Sequence, residues 1–273
     1  DILDEDIAKQ LNNSSDIVDV KAHGSSDIQS ASMSFDILSK LTKLQKRLNI
    51  RGNDVIFEIP PTAFETDELK DYLSSKTSIF NIKALKLSSE EVKKLLGAKE
   101  LAAIDGKMFD FTASAKDGSK NKNIEGFNKK IKVSIRLDSK DVDKYGRNKL
   151  GVYRFDEKAK RWDYAGGIYD SSNNTITFMT DHFSKYAVMA YTKDFEDSKN
   201  HWAKDDIDIL IFKHIAEGRN DKFEPDEYIT RAELVKMLVK VLMQTPDRNI
   251  KLSDAASVSF KDVSVVGEDH LYI

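Results

Sequence analysis

Between about residues 99 and 192, apolar residues recur at every second position, and this period restricts the fold more than any other feature of the chain. In KIKVSIRL, Ile131, Val133, Ile135 and Leu137 alternate with basic and polar residues, as in a strand with one face buried. LGVYRF, RWDYAGGIY, NTITFMT and KYAVMAY follow, separated by DEKAK, DSSNN and DHFS, connections of hairpin length. Four strands so closely spaced predict an antiparallel meander within a sandwich or an open barrel.

The residues before this region are mixed. Residues 1–32 are polar, with LNNSSD and HGSSD as loop signals around the strand-like DIVDVKA, and are expected to pack on the β-rich module. In SFDILSKLTKLQKRL, spacings of three and four between Phe35, Leu38, Leu41, Leu44 and Leu48 predict one amphipathic helix. NDVIFEIPP reads as a strand closed by two prolines, and FETDELKDYL and LSSEEVKKLL as short helices, the second running from Ser89 through Val92, Leu95 and Leu96. Residues 33–193 therefore read as a β-rich module with helical insertions.

After YTKDFED the period returns to that of a helix. Ile207, Leu210, Ile211, His214 and Ile215 form one stripe in NHWAKDDIDILIFKHIA, EGRNDKFEPDEY is a loop, and ITRAELVKMLVKVLM is a second helix ended by TPDRN. Residues 194–248 thus predict a separate all-α helix-loop-helix unit, and the fold class is α+β. A short internal repeat links Phe195 and Asp197 to Phe260 and Asp262, so residues 249–273 read as a linker and the start of a second unit that stops at Ile273.

Composition removes several classes of function. Lys and Arg number 43 against 46 acidic residues, a net charge of -3, which gives no basic footprint for nucleic acid and no polybasic membrane patch. No apolar run approaches the roughly 20 residues that span a bilayer. The opening residues lack a charged-then-apolar leader, so any export signal is expected outside them. With no cysteine there is neither a disulfide nor a thiolate metal site.

The five histidines have no metal-ligand spacing, and His201 and His214 read as packing or hydrogen-bonding residues. DSKDVDKYG, residues 138–146, is acidic but lacks the calcium-loop pattern and reads as a solvated turn. There is no phosphate loop, nucleophile elbow or identifiable glycosidase carboxylate pair, so no catalytic residue, metal or cofactor is expected.

The helical unit carries an ordered set of motifs: Phe195-Glu-Asp197, Trp202-Ala203, Gly218, Phe223-Glu-Pro225 and Ile229-Thr-Arg-Ala-Glu233. In order and spacing they resemble the surface-layer homology (SLH) module, over roughly Phe195 to Met243. The β-rich part resembles, more loosely, modules that precede such repeats in clostridial cell-surface proteins. The resemblance implies a secreted protein anchored in the cell wall or S-layer. Its implied partners are secondary cell-wall polysaccharide, often bearing a pyruvate ketal, and neighbouring S-layer subunits. Three repeats usually assemble around shared grooves, whereas this sequence has one complete repeat and a partial one.

The residues also have readings of their own. Thr230 and Glu233 form a capping box, with Ile229 and Leu234 as the hydrophobic staple. Arg231 sits at the first helical position, where a cation opposes the helix dipole. It fits a surface pair with Asp226 or Glu227, or an anion site made with the free N–H groups. Trp202 fits the core of a small helical unit or stacking on a sugar face. Gly218 is expected to supply a left-handed turn. Asp197 reads as a cap or turn residue, and Asn220 and Asp221 as loop ligands. Two functions follow as expectations. One is a non-catalytic wall-anchored surface protein whose β module is a spacer or interaction module. The other is an exported polysaccharide-active enzyme tethered by the helical unit.

Overall fold

The computed structural model describes residues 2–96 and 100–244, so the expected second unit at Phe260 and Asp262 lies outside the described residues. The first part runs α1 (Asp4–Leu11), β1 (Ile17–Lys21), β2 (His23–Gly24), β3 (Ile28–Ser34), α2 (Phe35–Lys43), β4 (Arg47–Arg51) and β5 (Val55–Ile59). Then come α3 (Lys70–Ser74), β6 (Ile79–Lys86), α4 (Ser89–Leu95), β7 (Leu101–Asp117), β8 (Lys120–Asn123), β9 (Ile131–Arg136) and α5 (Ser139–Tyr145). The β-rich part closes with β10 (Leu150–Asp156), β11 (Arg161–Gly166), β12 (Ile168–Asp170), β13 (Thr175–Thr180) and β14 (Lys185–Tyr191), and the helices α6 (Lys204–Phe212) and α7 (Arg231–Gln244) follow.

The strands form two sheets, one ordered β1-β4-β5-β9-β13-β12 and the other β11-β10-β14-β7-β6-β3-β2 with β8 on β7. Neighbours are antiparallel except β1 and β4, which run parallel. Residues 2–32 thus supply strands to both sheets. Alternating burial in β5, β6 and β9 directs one apolar face of each into a shared core. Aromatic contacts join the sheets: Phe57 meets Phe111 edge-on at 5.3 Å, and Phe178 lies 4.9 Å from Tyr186. Ile7 of α1 and Phe35 of α2 extend the same core.

The expected four-strand meander is corrected by the topology. β11 pairs with β10 in one sheet, β12 and β13 belong to the other, and β14 returns to pair with β10. The crossing is made at Gly166 and Gly167, with φ of 101° and 130°. A Cβ on Gly167 would come within 3.0 Å of the Val152 backbone nitrogen, so the sequence GG marks a change of sheet inside what reads as one strand.

Two other expectations change. The helix predicted through Leu48 ends at Lys43, because Gln45 takes φ 54° and the Lys46 and Gln45 N–H groups bond back to Leu41 and Thr42. Leu48 is then a buried residue of β4 while Leu44 is left half exposed. Residues 138–146, expected as a turn, form α5, with Val142 and Tyr145 packed against the main core and Gly146 (φ 82°) ending the helix.

Candidate functional site

The helical unit is built around Phe195, which is buried with Ile207, Ile211 and Phe212 and covered by Tyr191, Ala203 and Phe223. Two residues on, the Asp197 carboxylate accepts from the Phe223 N–H (3.0 Å) and the Glu224 N–H (2.8 Å), which clamps the loop over that core. These bonds hold its carboxyl below the usual carboxylate range. One motif, Phe-x-Asp, therefore contributes a core anchor and a loop clamp.

The loop turns at Arg219–Lys222, whose backbones exchange both hydrogen bonds (2.7 and 2.9 Å). Asn220 and Asp221 between them both adopt left-handed φ, 48° and 60°, as a two-residue type I′ turn requires. Gly218 does not supply a left-handed turn, which corrects the expectation. A Cβ there would lie 2.2 Å from the Phe195 ring and 2.5 Å from the Lys222 carbonyl, so close approach excludes a side chain.

At the start of α7 the Thr230 N–H donates to Glu233 (2.8 Å) and the Glu233 N–H to Thr230 Oγ1 (3.2 Å), a complete capping box. The staple pair is only half buried, with Ile229 51% and Leu234 48% exposed. Arg231 is exposed and has no ion-pair partner among the described residues. The expected partner Asp226 instead meets His201 at 3.3 Å, and Glu233 pairs with Arg219. Trp202, 89% exposed, is not a core residue; the core of the unit is Phe195, Ile207, Ile211 and Phe212.

Between the loop and α7 lies a groove of about 460 Å³, whose walls include Gly218, Phe223, Pro225, Ile229 and Glu233. Arg231, Trp202, Asn220 and Asp221 do not line it; Asp221 faces Lys193 at 3.7 Å. The cations that do line it are Arg219, Lys236 and Lys240, and its carboxylates are Glu217, Glu224, Glu227 and Glu233. The motifs of the repeat do not include Lys236 and Lys240. Their spacing of three and seven from Glu233 places all three on one helix face, a signal present in the sequence.

The unit is fastened to the β-rich part at Lys213 and His214. α6 was expected to continue through Ile215, but His214 takes φ 53°, and the His214 and Ile215 N–H groups bond back to Ile211 and Leu210. This turns the His214 ring into an aromatic cluster: Tyr153 Oη lies 2.9 Å from Nε2, and the rings of Tyr164 and Tyr191 are 4.9 and 4.8 Å away. Burial pushes the imidazole down to about 4, assisted by Lys240 and opposed by Glu217. Lys213 Nζ donates to the carbonyls of Gly167 (2.8 Å) and Leu150 (3.2 Å), and burial pulls its ammonium down to about 8. Gln244 closes the joint by donating to the Lys213 carbonyl at 2.7 Å.

Among the described residues no group of three or more His, Asp or Glu could hold a metal ion, and no helix is long and apolar enough to cross a membrane.

Comparison with known proteins agrees with the motif order. Residues 194–235 match the S-layer homology domain. The chain is similar to an amylopullulanase of Thermoanaerobacterium thermosulfurigenes, 42% identical over 116 residues, or 42% of this chain and 6% of that protein. It is also similar to exoglucanase XynX of Acetivibrio thermocellus, 32% identical over 132 residues, 48% of this chain and 11% of that protein. A third relative is endo-1,4-beta-xylanase A of Thermoanaerobacterium saccharolyticum, 42% identical over 71 residues, 26% of this chain and 6% of that protein. The chain thus matches about a tenth or less of each relative's length. The stretches of 116 and 132 residues are too long to lie wholly within residues 194–273. S-layer homology domains bind cell-wall polysaccharide, and the domain indicates a cell-surface, wall-anchored location.

Proposed function

We propose that this chain is a non-catalytic anchor that holds a surface protein to the cell wall by binding secondary cell-wall polysaccharide. The observation that carries the reading is the helical repeat itself. Its Phe-x-Asp clamp, glycine close approach and capping box all shape one open groove between loop and helix. Open grooves flanked by polar and aromatic side chains suit an extended sugar chain, whose hydroxyls exchange hydrogen bonds and whose ring faces stack on aromatic groups. Within the groove Phe223 and Tyr228 offer the aromatic faces; outside it, the exposed indole of Trp202 is a further stacking surface and Arg231 at the start of α7 a further contact for a pyruvyl-ketal carboxylate, which a guanidinium can grip with two bonds. The secreted location and contact with neighbouring S-layer subunits belong to the same reading.

The three relatives' names favour a second reading, in which the unit tethers a polysaccharide-active enzyme. One co-sedimentation series addresses both. The chain is expected to pellet with purified walls of a species carrying pyruvylated polymer, to lose most of that binding on walls stripped of the ketal, and to bind several-fold more weakly as Trp202→Ala, with unchanged Tm. Equal pelleting on intact and stripped walls refutes the ketal-dependent anchor. Release of reducing sugar from starch or xylan by the chain alone refutes the non-catalytic reading.

A further inference from the structure

A second cavity, of about 890 Å³, opens where the helical unit meets the β-rich part. One wall carries Arg154 of β10, Arg161, Asp163 and Tyr164 of β11, and His182 from the turn after β13; the other is His214, Glu217, Lys240 and the end of α7. Glu217 and Lys240 also line the groove of the repeat, and the two are ion-paired at 2.5 Å. One side-chain bridge, Lys240–Glu217, is therefore part of the lining of both groove and cleft.

The charge balance differs along this path. The groove has three cations against four carboxylates; the cleft has Lys130, Arg154, Arg161 and Lys240 against Asp163, Asp181 and Glu217. Within the cleft one carboxylate, Asp163, serves both Arg154 (3.5 Å) and Arg161 (2.9 Å), and Lys130 has no ion pair among the described residues. Arg154 is fixed from behind, because its Nη1 donates to His182 Nε2 (3.0 Å) and the His182 Nδ1–H donates to Asp181 (2.9 Å). The buried Tyr164 hydroxyl has no hydrogen-bond partner among the described residues. An oriented guanidinium and a surplus of cation together fit an anionic group that carries several acceptors.

We propose that the junction cleft is a second subsite, in which Lys130, Arg154 and Arg161 hold an acidic group on the same wall polymer whose sugars occupy the repeat. The inference rests on the polysaccharide-binding reading above, and it makes the β-rich part a contributor to binding.

The test uses the intact chain and two ligands, a terminal pyruvylated disaccharide and the full-length acidic polymer. Affinities are measured by calorimetry at low and high salt. The double variant Lys130→Ala/Arg161→Ala is expected to bind the polymer about 10-fold more weakly, with a shallower salt dependence, and the disaccharide as the wild type does. Lys236→Ala, in the groove, is expected to weaken both ligands. Arg161 is 70% exposed, so the double variant is expected to keep the wild-type Tm, which is checked alongside. Unchanged polymer affinity in the double variant, with a loss in Lys236→Ala, overturns the junction subsite and leaves the wall-binding reading intact. An equal loss for both ligands also overturns it. Failure of the wild-type chain to bind either ligand overturns both readings.

Discussion

His214 should make the joint between the two parts of the molecule sensitive to acid. Its ring is buried neutral among Tyr153, Tyr164 and Tyr191, and its pKa falls from 6.5 to about 4. A base whose folded pKa is depressed binds fewer protons folded than unfolded between those two values. Its full contribution is therefore present above pH 6.5 and is lost as the pH falls toward 4. At roughly 1.4 kcal/mol per pH unit, the loss across the window is about 3 kcal/mol. Acid acts on the rest of the protein as well, so the measurement is a difference between two chains. Urea unfolding of the wild type and of His214→Gln is followed at half-unit steps from pH 7 to pH 4. At pH 7 the variant should be the less stable, by about 1–2 kcal/mol, because the Tyr153 hydroxyl loses its partner and the ring contacts are gone. By pH 4 the order should reverse, since glutamine does not acquire a buried charge. Parallel pH profiles for the two proteins would refute the argument, because they would mean that His214 is protonated in the folded state as readily as in the unfolded chain.

Two further outcomes follow from the loop. Gly218→Ala should lower stability by about 1–3 kcal/mol in a urea titration, because the new Cβ meets the Phe195 ring and the Lys222 carbonyl, and Phe195→Leu in the same chain should recover part of the loss. Asp197→Asn removes the charged acceptor of two loop amides, so hydrogen exchange at Phe223 and Glu224 should accelerate at least about 10-fold while exchange in β9 and β13 stays unchanged.

Local signals were legible wherever the physics was local. The capping box at Thr230 and Glu233 depends on four consecutive residues, and the structure forms it as read. The alternating burial of β9 is equally visible in KIKVSIRL. Errors arose where two nearby apolar patterns overlapped. The stripes from Phe35 to Leu48 and from Ile207 to Ile215 both keep helical spacing across a helix end, and Gln45 and His214 close those helices in left-handed conformations that neither residue announces as glycine would. Trp202 is ambiguous because a large apolar residue near a small core can be either wall or surface, and the core forms from Phe195, Ile207, Ile211 and Phe212 without it.

The sequence by itself determined the two-part division of texture, the helical repeat with its ordered motifs, and the chemistry of its helix start. The helix start rests on residues within one turn, and the repeat on short motifs read in order from Phe195 to Glu233. The tertiary structure alone decided which strands share a sheet, since the step at Gly166 and Gly167 acts through backbone geometry rather than hydrophobic period. It also decided which charges face a cavity. Arg231 is prominent in the motif yet lies outside the groove, while Arg154 of β10, Arg161 of β11 and Lys240 of α7 line one cleft because Lys213 and His214 dock the repeat on the sheet. The hydrogen bonds of that docking join residues 46 to 63 positions apart; they depend on loop closure and on the shape of both surfaces, and no spacing along the chain encodes them.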